Sequence, residues 1–207
     1  MLRISFLSLI ILIFSSFVGD TPKMVRRTLA RNITALMPED FRPMTDAEIA
    51  SKYFTYRKPV AMFTNQEATV DFGFNVAATT WKYEDLALLQ KFYKATIQNL
   101  YTSIDGNASS KTQDNRPASS NSKPTESINM IQEGIQEINK RKFIVFEFIG
   151  ETKTDANSPI QRAKRVYTYI QYTIVDEEVY IFNFSAPAHL QKYWSPIAKQ
   201  MMESLKM

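Results

Sequence analysis

Alternating apolar and polar positions predict β-strands in the first half of the chain. At 68–77, one side of an extended segment carries the apolar residues Val70, Phe72, Phe74 and Val76. This period of two is typical of a strand with one face in a core. A partner strand is predicted at 60–64, across a polar turn at 65–67. An earlier strand is predicted at 25–36, ended by Pro38.

Two further hairpins are predicted in the second half. Segments 128–138 and 142–151 flank a polar turn at 139–141, and segments 162–175 and 179–185 flank another at 176–178. Segment 142–151 is apolar on both sides, which predicts a central strand with helices covering both faces of its sheet.

Three helices are expected. The longest spans 84–104, where apolar residues recur every three or four positions, as in an amphipathic helix: Leu86, Leu89, Tyr93, Ile97, Leu100 and Ile104. Thr45 and Glu48 form a capping box that predicts a short helix from Asp46 to about Tyr53. Ser195 and Pro196 suit the start of a terminal helix. The pattern therefore predicts an α+β fold, with an antiparallel sheet of about six to seven strands flanked by helices on both faces.

The N-terminal residues predict export. Arg3 precedes a short apolar run, so residues 1–19 are expected to be a signal peptide or an uncleaved anchor. A buried N-terminal core helix is the alternative. Residues 20–207 are predicted to form a single α+β domain. Segment 105–126 is rich in Ser, Asn, Lys, Thr and Pro, so we expect a disordered insertion, with a linker between two domains as the alternative.

The amino-acid composition excludes several kinds of catalytic and binding site. The 207 residues include no Cys and one His, which excludes thiol nucleophiles, Cys-bound zinc, disulfides and a lipoprotein anchor. No phosphate-binding glycine motif is present, and the formal charge of +4 is too small to indicate nucleic acid as a partner. We therefore expect no enzymatic activity, cofactor, metal site or nucleic-acid binding.

The candidate catalytic groups have simpler interpretations. His189, the only histidine, is interpreted as a turn or surface residue. The acidic pair Glu177-Glu178, with Asp176, is interpreted as solvated and unpaired at a hairpin turn. Glu84 and Asp85 are interpreted as acidic residues in the first turn of the long helix, where they interact favourably with the helix dipole.

Basic residues offer two weaker candidates for binding. Lys23, Arg26, Arg27 and Arg31 form a cluster that would contact anionic lipid only beside an uncleaved anchor, and is otherwise a solvated, mobile terminus. The basic tripeptide at 140–142 is interpreted as the tip of a hairpin, with a binding patch as the alternative.

Aromatic residues are the better candidates for partner binding, because Tyr and Trp are enriched in interfaces. The predicted partner-binding residues occur as three pairs. Trp81 and Tyr83 precede the long helix, Tyr167 and Tyr169 share one face of a strand, and Tyr193 and Trp194 precede the last helix.

Four stretches of the sequence resemble the Mog/PsbP-like superfamily. They are Leu36-Met37-Pro38-Glu39-Asp40-Phe41, Val70-Asp71-Phe72-Gly73-Phe74-Asn75, Ile138-Asn139-Lys140-Arg141-Lys142-Phe143-Ile144 and Val179-Tyr180-Ile181-Phe182-Asn183-Phe184. With the export segment, the chain is similar to a bacterial, exported member. The resemblance implies an antiparallel sheet flanked by helices. It also implies binding or assembly roles, such as those of a photosystem subunit, a Ran-binding protein, envelope lipoproteins and secretion adaptors. It supplies no catalytic residues.

The leading hypothesis is a non-enzymatic binding or assembly protein of the cell envelope, periplasmic or secreted, with a protein partner. The first alternative is a carrier of an apolar or lipid-like ligand in a pocket between the sheet and the long helix, lined by Phe182, Phe184 and Met202. A hydrolase using carboxylates and His189 is the third hypothesis.

Overall fold

The computed structural model describes residues 21–53, 58–102, 128–152 and 164–207. The predicted export segment at 1–19 and the predicted insertion at 105–126 lie outside these ranges, so both stay predictions. The strands are β1 Met24–Ala30, β2 Ile33–Pro38, β3 Arg42–Pro43, β4 Ala61–Thr64, β5 Asp71–Thr80, β6 Ile128–Ile138, β7 Arg141–Thr152, β8 Lys164–Val175 and β9 Glu178–Pro187. The α-helices are α1 Asp46–Lys52, α2 Leu86–Thr102 and α3 Gln191–Glu203.

The main sheet has seven strands in the order β3-β4-β5-β9-β8-β7-β6, and every neighbouring pair is antiparallel. The predicted fold class is therefore confirmed. The prediction that the strand at 142–151 is central was wrong, because β7 lies next to the edge strand β6 and β9 is in the middle. Coverage by helices on both faces, rather than position in the sheet, explains why β7 is apolar on both sides.

The predicted first strand at 25–36 is a hairpin instead. β1 and β2 pair with each other in a separate two-stranded sheet. Arg31 and Asn32 turn the chain with φ values of 51° and 61°. The alternation continues across this turn, so the pattern alone did not indicate the reversal.

Two cores lie on opposite faces of the main sheet. On the first face, α3 and the β1–β2 hairpin pack on residues such as Phe72, Phe182 and Phe184. On the second face, α2 packs on β7 and β8 through Ile144, Phe146 and the residues around them. We refer to these as the α3 face and the α2 face. They use alternate residues of the same strands, as the period of two requires.

The helix α2 follows a single 3-10 turn at Tyr83–Asp85 and begins at Leu86, two residues later than predicted. Leu86, Leu89 and Ile97 are buried as expected, but Leu100 is 62% exposed. Tyr101 takes the place of Leu100, because its ring lies over Gly150 and meets Phe148 edge-on at 5.7 Å. Ile104 lies outside the described residues.

The helix α3 begins at Gln191, after a 3-10 turn at Ala188–Leu190, so the prediction of a start at Ser195-Pro196 was wrong. Pro196 lies inside the helix. Trp194 explains the earlier start, because its buried ring packs between Phe41 at 5.9 Å and Phe184 at 5.8 Å. This packing outweighs the one helical hydrogen bond that a proline removes.

The capping box of α1 is present as predicted. Thr45 Oγ1 accepts from the Glu48 N–H at 3.2 Å, and Glu48 Oε2 accepts from the Thr45 N–H at 2.8 Å. Arg42 donates to both oxygens of the same carboxylate, at 2.9 and 2.6 Å. The hydrogen bonds from Arg42 are the first cause that lowers the pKa of Glu48 from 4.5 to about 2, followed by the Thr45 N–H.

Arg42→Ala is expected to raise the pKa of Glu48 towards 4.5, because the charge-assisted hydrogen bonds disappear. A carboxyl with a lowered pKa contributes stability that is present above the pKa of the unfolded chain. That stability is lost as the pH falls from 4.5 to about 2. NMR titration of the Glu48 carboxyl carbon in both proteins measures the shift. An unchanged midpoint in the variant would contradict the pairing.

Each two-residue hairpin turn has both residues at positive φ, as in a type I′ turn. The turns are Arg31-Asn32, Asn139-Lys140 and Asp176-Glu177. The right-handed twist of the flanking strands selects this turn, which favours Asn or Asp first and Gly second. Lys140, at φ 67°, is therefore held in a conformation that glycine adopts more easily.

Lys140→Gly is expected to stabilise the protein by about 0.5 kcal/mol, because relief of the left-handed conformation exceeds the entropy that glycine adds to the unfolded chain. Lys142→Gly, two positions away in β7, is the matched control and should destabilise by about 1 kcal/mol through lost strand propensity. Urea unfolding measures both. Destabilisation by Lys140→Gly would mean that the turn has another geometry.

Candidate functional site

The six aromatic residues predicted to bind a partner lie in two different environments. Tyr167, Tyr169 and Trp194 are buried in the core of the α3 face. Tyr83 and Tyr193 are each 43% exposed, and Trp81 is half-buried beside α2. The structure therefore leaves Trp81, Tyr83 and Tyr193 accessible to a partner, while the other three hold the fold together.

Trp81 belongs to an exposed apolar surface on α2. Its ring lies 6.0 Å from Phe92, which is 48% exposed. Leu88 and Leu100 are 58% and 62% exposed. Leu88 and Phe92, four residues apart, are neighbours on the helix surface, and Leu100 lies two turns beyond Phe92, past the exposed Thr96. We call Trp81, Leu88, Phe92 and Leu100 the apolar stripe.

The apolar stripe lies on the flank of α2 that points away from β6. Lys94, on the other flank, pairs with Glu133 of β6 at 2.6 Å. Leu88 and Leu100 are twelve positions apart on α2, so the stripe is about 18 Å long along the helix. It is convex, because it follows the outside of a helix, so it suits a groove on another protein rather than a small ligand.

Sequence reasoning missed this row, although a signal was present. Leu88 and Phe92 are four residues apart and fall outside the predicted core row of the same helix. Large apolar side chains on the solvent-exposed side of an amphipathic helix indicate a second contact surface.

A buried carboxylate is the main polar feature of the α3 face. Glu147 is 1% exposed. Its Oε1 accepts from Tyr167 Oη at 3.0 Å and Ser195 Oγ at 2.9 Å, and its Oε2 lies 2.9 Å from Lys199 Nζ. Burial, with Glu147 adding to it, raises the pKa of Tyr167. The Tyr167 hydroxyl is therefore a neutral donor, and Ser195 anchors α3 instead of capping it.

Tyr169 and Gln171 extend this buried polar region along β8. Burial raises the pKa of Tyr169 to about 12. Gln171 is fully buried on the same face of the strand. Through the contacts of Glu147 with two hydroxyls and an ammonium, this region connects α3 to β7 and β8. Among the described residues, Glu147 Oε2 and both amide atoms of Gln171 are buried without a hydrogen-bond partner.

A second buried carboxylate ties α1 to the sheet. Asp71 accepts from Lys52 Nζ at 3.0 Å, Tyr53 Oη at 2.8 Å and Thr64 Oγ1 at 2.6 Å. Burial, followed by the charge of Asp71, raises the pKa of Tyr53. Its donors come from the end of α1 and from β4, which indicates a structural role.

The candidate catalytic groups do not form a catalytic arrangement. His189 is exposed in the 3-10 turn before α3. Within the described ranges, no three His, Cys, Asp or Glu side chains are grouped closely enough to hold a metal ion. Glu178 was expected to be unpaired, but it accepts from Arg31, which also donates to Tyr180 Oη at 3.2 Å. Arg31 meets Glu178 because the β1–β2 turn reaches the β8–β9 turn.

The N-terminal basic residues also differ from the expectation of a solvated, mobile terminus. Lys23 pairs with Glu39 at 2.8 Å, and Arg27 donates to the Glu39 carbonyl at 2.9 Å. Arg26 donates to Thr34 Oγ1 and to the Ser204 carbonyl. These residues hold the β1–β2 hairpin and the end of α3, so their charges are largely committed within the protein.

The pocket expected for an apolar ligand is closed at the predicted positions. Phe182, Phe184 and Met202 are fully buried and packed together on the α3 face, whereas the pocket was expected beneath the long helix on the α2 face. A groove of about 560 Å³ lies elsewhere, between β1, α1 and β4. None of the three predicted residues lines it.

Across the parts of the chain that the structure describes, no helix is both long enough and apolar enough to cross a membrane.

Comparison with solved structures identifies the fold. The solution structure of cyanobacterial PsbP (CyanoP) from Synechocystis sp. PCC 6803 matches with a TM-score of 0.56 and 8% identity, covering 92% of this chain and 95% of that one. The Ran-binding protein Mog1p of Saccharomyces cerevisiae matches with a TM-score of 0.46 and 10% identity, covering 89% and 96%. LpqN of Mycobacterium tuberculosis, involved in cell envelope biogenesis, matches with a TM-score of 0.48 and 9% identity, covering 89% and 90%.

No protein-family model matches the sequence, and no curated protein matches it. The match to PsbP nevertheless spans nearly the whole of both chains. The chain therefore has the Mog/PsbP-like fold, as the resemblance in its sequence implied.

Glu147→Ala is expected to destabilise the protein by about 3 kcal/mol, because it leaves two buried hydroxyls and an ammonium without their acceptor. The matched control is Glu151→Ala, in the same strand. Glu151 is 44% exposed and 3.9 Å from Arg165, so its loss should cost less than about 0.5 kcal/mol. Thermal and urea unfolding measure both variants. Equal stability of the two would show that the buried carboxylate contributes nothing.

Proposed function

We propose that this chain is a non-enzymatic binding or assembly protein of the cell envelope, exported through its N-terminal segment, and that it recognises a protein partner through the apolar stripe. The single observation that supports the proposal is the exposure of Leu88 and Phe92 as neighbours on α2, with Trp81 against Phe92 and the exposed Leu100 further along the helix. Exposed, contiguous apolar surface is costly in water, and a protein that keeps it usually covers it with a partner.

The residue types support a protein partner in particular. Trp and Phe are enriched in the energetically important centres of protein interfaces, and Leu adds area around them. Tyr83 lies next to the start of α2 and its hydroxyl accepts from the Lys142 N–H at 3.0 Å, so its exposed ring is held in place beside the β6–β7 turn. A rigid helix with a preformed apolar row loses little entropy on binding.

The partner is expected to present an apolar groove that accepts a convex helix. The described residues form no catalytic arrangement, which is consistent with a binding role. The apolar stripe is the stronger support, because exposed apolar side chains do not stabilise the folded chain.

The test is capture of the partner from the native host. The full-length tagged chain is expressed there, crosslinked gently, purified and examined by mass spectrometry, with fractionation of the same cells. We expect a stoichiometric protein companion in the envelope or exported fraction. A variant carrying Leu88→Glu and Phe92→Glu should reduce the recovered companion at least about tenfold, because two charges are placed in an apolar contact.

Ala87→Glu is the matched control, since it adds a charge to the exposed surface of the same helix outside the row. It should leave recovery unchanged, and circular dichroism should show the same fold for all three proteins. Recovery unaffected by the double substitution would exclude the apolar stripe as the contact surface. Retention of the chain in the cytoplasm would contradict the export part of the proposal, and a bound small molecule without a companion would favour the carrier hypothesis.

A further inference from the structure

The two edges of the main sheet differ greatly. The edge strand β3 has two residues, whereas the opposite edge strand, β6, has eleven. On one side β6 pairs with β7 along its whole length, and no strand in the described residues pairs with its other side. An edge strand presents a row of backbone N–H and C=O groups that only water or another extended chain can satisfy.

The strand β6 lacks the usual protection of an edge. Natural edge strands often carry Lys or Pro, and β6 contains no Lys, Arg or Pro. Its one irregularity is a shift of register between Met130 and Gln132. Beyond that shift, Gln132–Ile138 pairs without interruption, which leaves a regular edge of seven residues, about 24 Å long.

The side chains beside this edge form a distinct pattern on the α2 face. Ile135 is 39% exposed, although α2 packs against β6 and its Lys94 pairs with Glu133. Glu133, Ile135 and Glu137 lie opposite Phe146, Ile144 and Lys142 of β7. The order along this face, beyond the register shift at Ile131, is therefore acidic, apolar, acidic. On the other face, Gly134 leaves open space, because a Cβ placed there would meet nothing within 4 Å.

Independently of the apolar stripe, we propose that the outer edge of β6 at 132–138 pairs with an extended segment of a protein partner. The segment adds an eighth strand to the sheet. Its apolar side chain lies opposite Ile135, and its Lys or Arg side chains lie opposite Glu133 and Glu137. Backbone hydrogen bonds supply the affinity, and the alternating side chains supply the specificity.

The charge of β6 favours such a segment over a second copy of this chain. Antiparallel pairing of two β6 strands in one continuous sheet would place Glu133 and Glu137 of both copies on the same face of the new ladder. Like charges at neighbouring ladder positions destabilise a sheet. A basic, alternating segment instead adds cations beside Glu137 and beside Glu133, whose Oε1 already pairs with Lys94.

A designed peptide tests the proposal directly. In the antiparallel direction along 132–138, the sequence Thr-Lys-Thr-Val-Thr-Lys-Thr places each Lys opposite an acid and the Val opposite Ile135. Labelled with fluorescein, it is titrated with the purified chain up to about 1 mM and followed by fluorescence anisotropy. We expect saturable binding. Hydrogen exchange should show added protection of backbone amides at 132–138.

Two N-methylated forms of the peptide identify the contact. One carries N-methyl groups on the Lys and Val positions and the other on the Thr positions, so the side chains are unchanged. In a paired strand, alternate N–H groups point to opposite sides. One form should therefore bind at least about tenfold more weakly and the other should bind normally. Equal binding of both forms would overturn the proposal, as would no binding of the parent peptide.

Ile135→Lys is the matching protein variant, with Leu88→Lys as control. Ile135→Lys should weaken the peptide at least about tenfold, because it replaces the apolar contact with repulsion of the peptide's Lys residues. Leu88→Lys lies on α2, in the apolar stripe, and should leave peptide binding unchanged. Loss of binding in Leu88→Lys alone would place the peptide on α2 and contradict the β6 site. Partner capture through the apolar stripe is a separate measurement, so either proposal can fail without the other.

Discussion

The antiparallel pairing of β5 with β9 is the contact on which the rest of the structure depends. Among the described strands, it is the pairing that joins the strands before α2 to the two hairpins after it. Phe72 lies opposite Phe184 and Phe74 opposite Phe182, and the second pair stacks at 5.0 Å with an interplanar angle of 12°. Closing such a long loop costs entropy that hydrogen bonds alone do not repay. The buried phenylalanines supply the difference, and they also set the register, because a slip by one residue would turn them out of the core.

The two faces of this sheet serve different purposes. On the α3 face, the core is closed by α3 and the β1–β2 hairpin, and its polar groups are used internally around Glu147. On the α2 face, one helix packs on β6, β7 and β8 but leaves its own apolar stripe and Ile135 of β6 exposed. The surfaces available for binding are therefore concentrated where a single helix is too narrow to cover the sheet.

Most of the fold could be predicted from local pattern. The hairpins predicted around 139–141 and 176–178 are present, with turns one residue shorter than predicted. The capping box at Thr45 and the strand containing Phe72 and Phe74 also agree with the structure, because each of these features depends on neighbours in the sequence. The predictions were wrong at positions where contacts between distant parts of the sequence determine the structure. Trp194 extends α3 past the start that Ser195 and Pro196 indicate, and the β1–β2 turn has no Gly or Pro to mark it. Of the six predicted binding aromatics, composition could not separate the buried Tyr167, Tyr169 and Trp194 from the accessible ones.

The sequence by itself determined the class of fold, the positions of most strands and helices, and the resemblance to the Mog/PsbP-like superfamily. Those properties follow from the alternation of side chains and from turn chemistry, which act over a few residues. Only the tertiary structure decided that β9 rather than β7 is central, that Glu147 is a buried anchor, and that Leu88 and Phe92 remain exposed. Each of these depends on which segments meet across the sheet, and the free energy of that choice comes from burial between residues that are far apart in the chain.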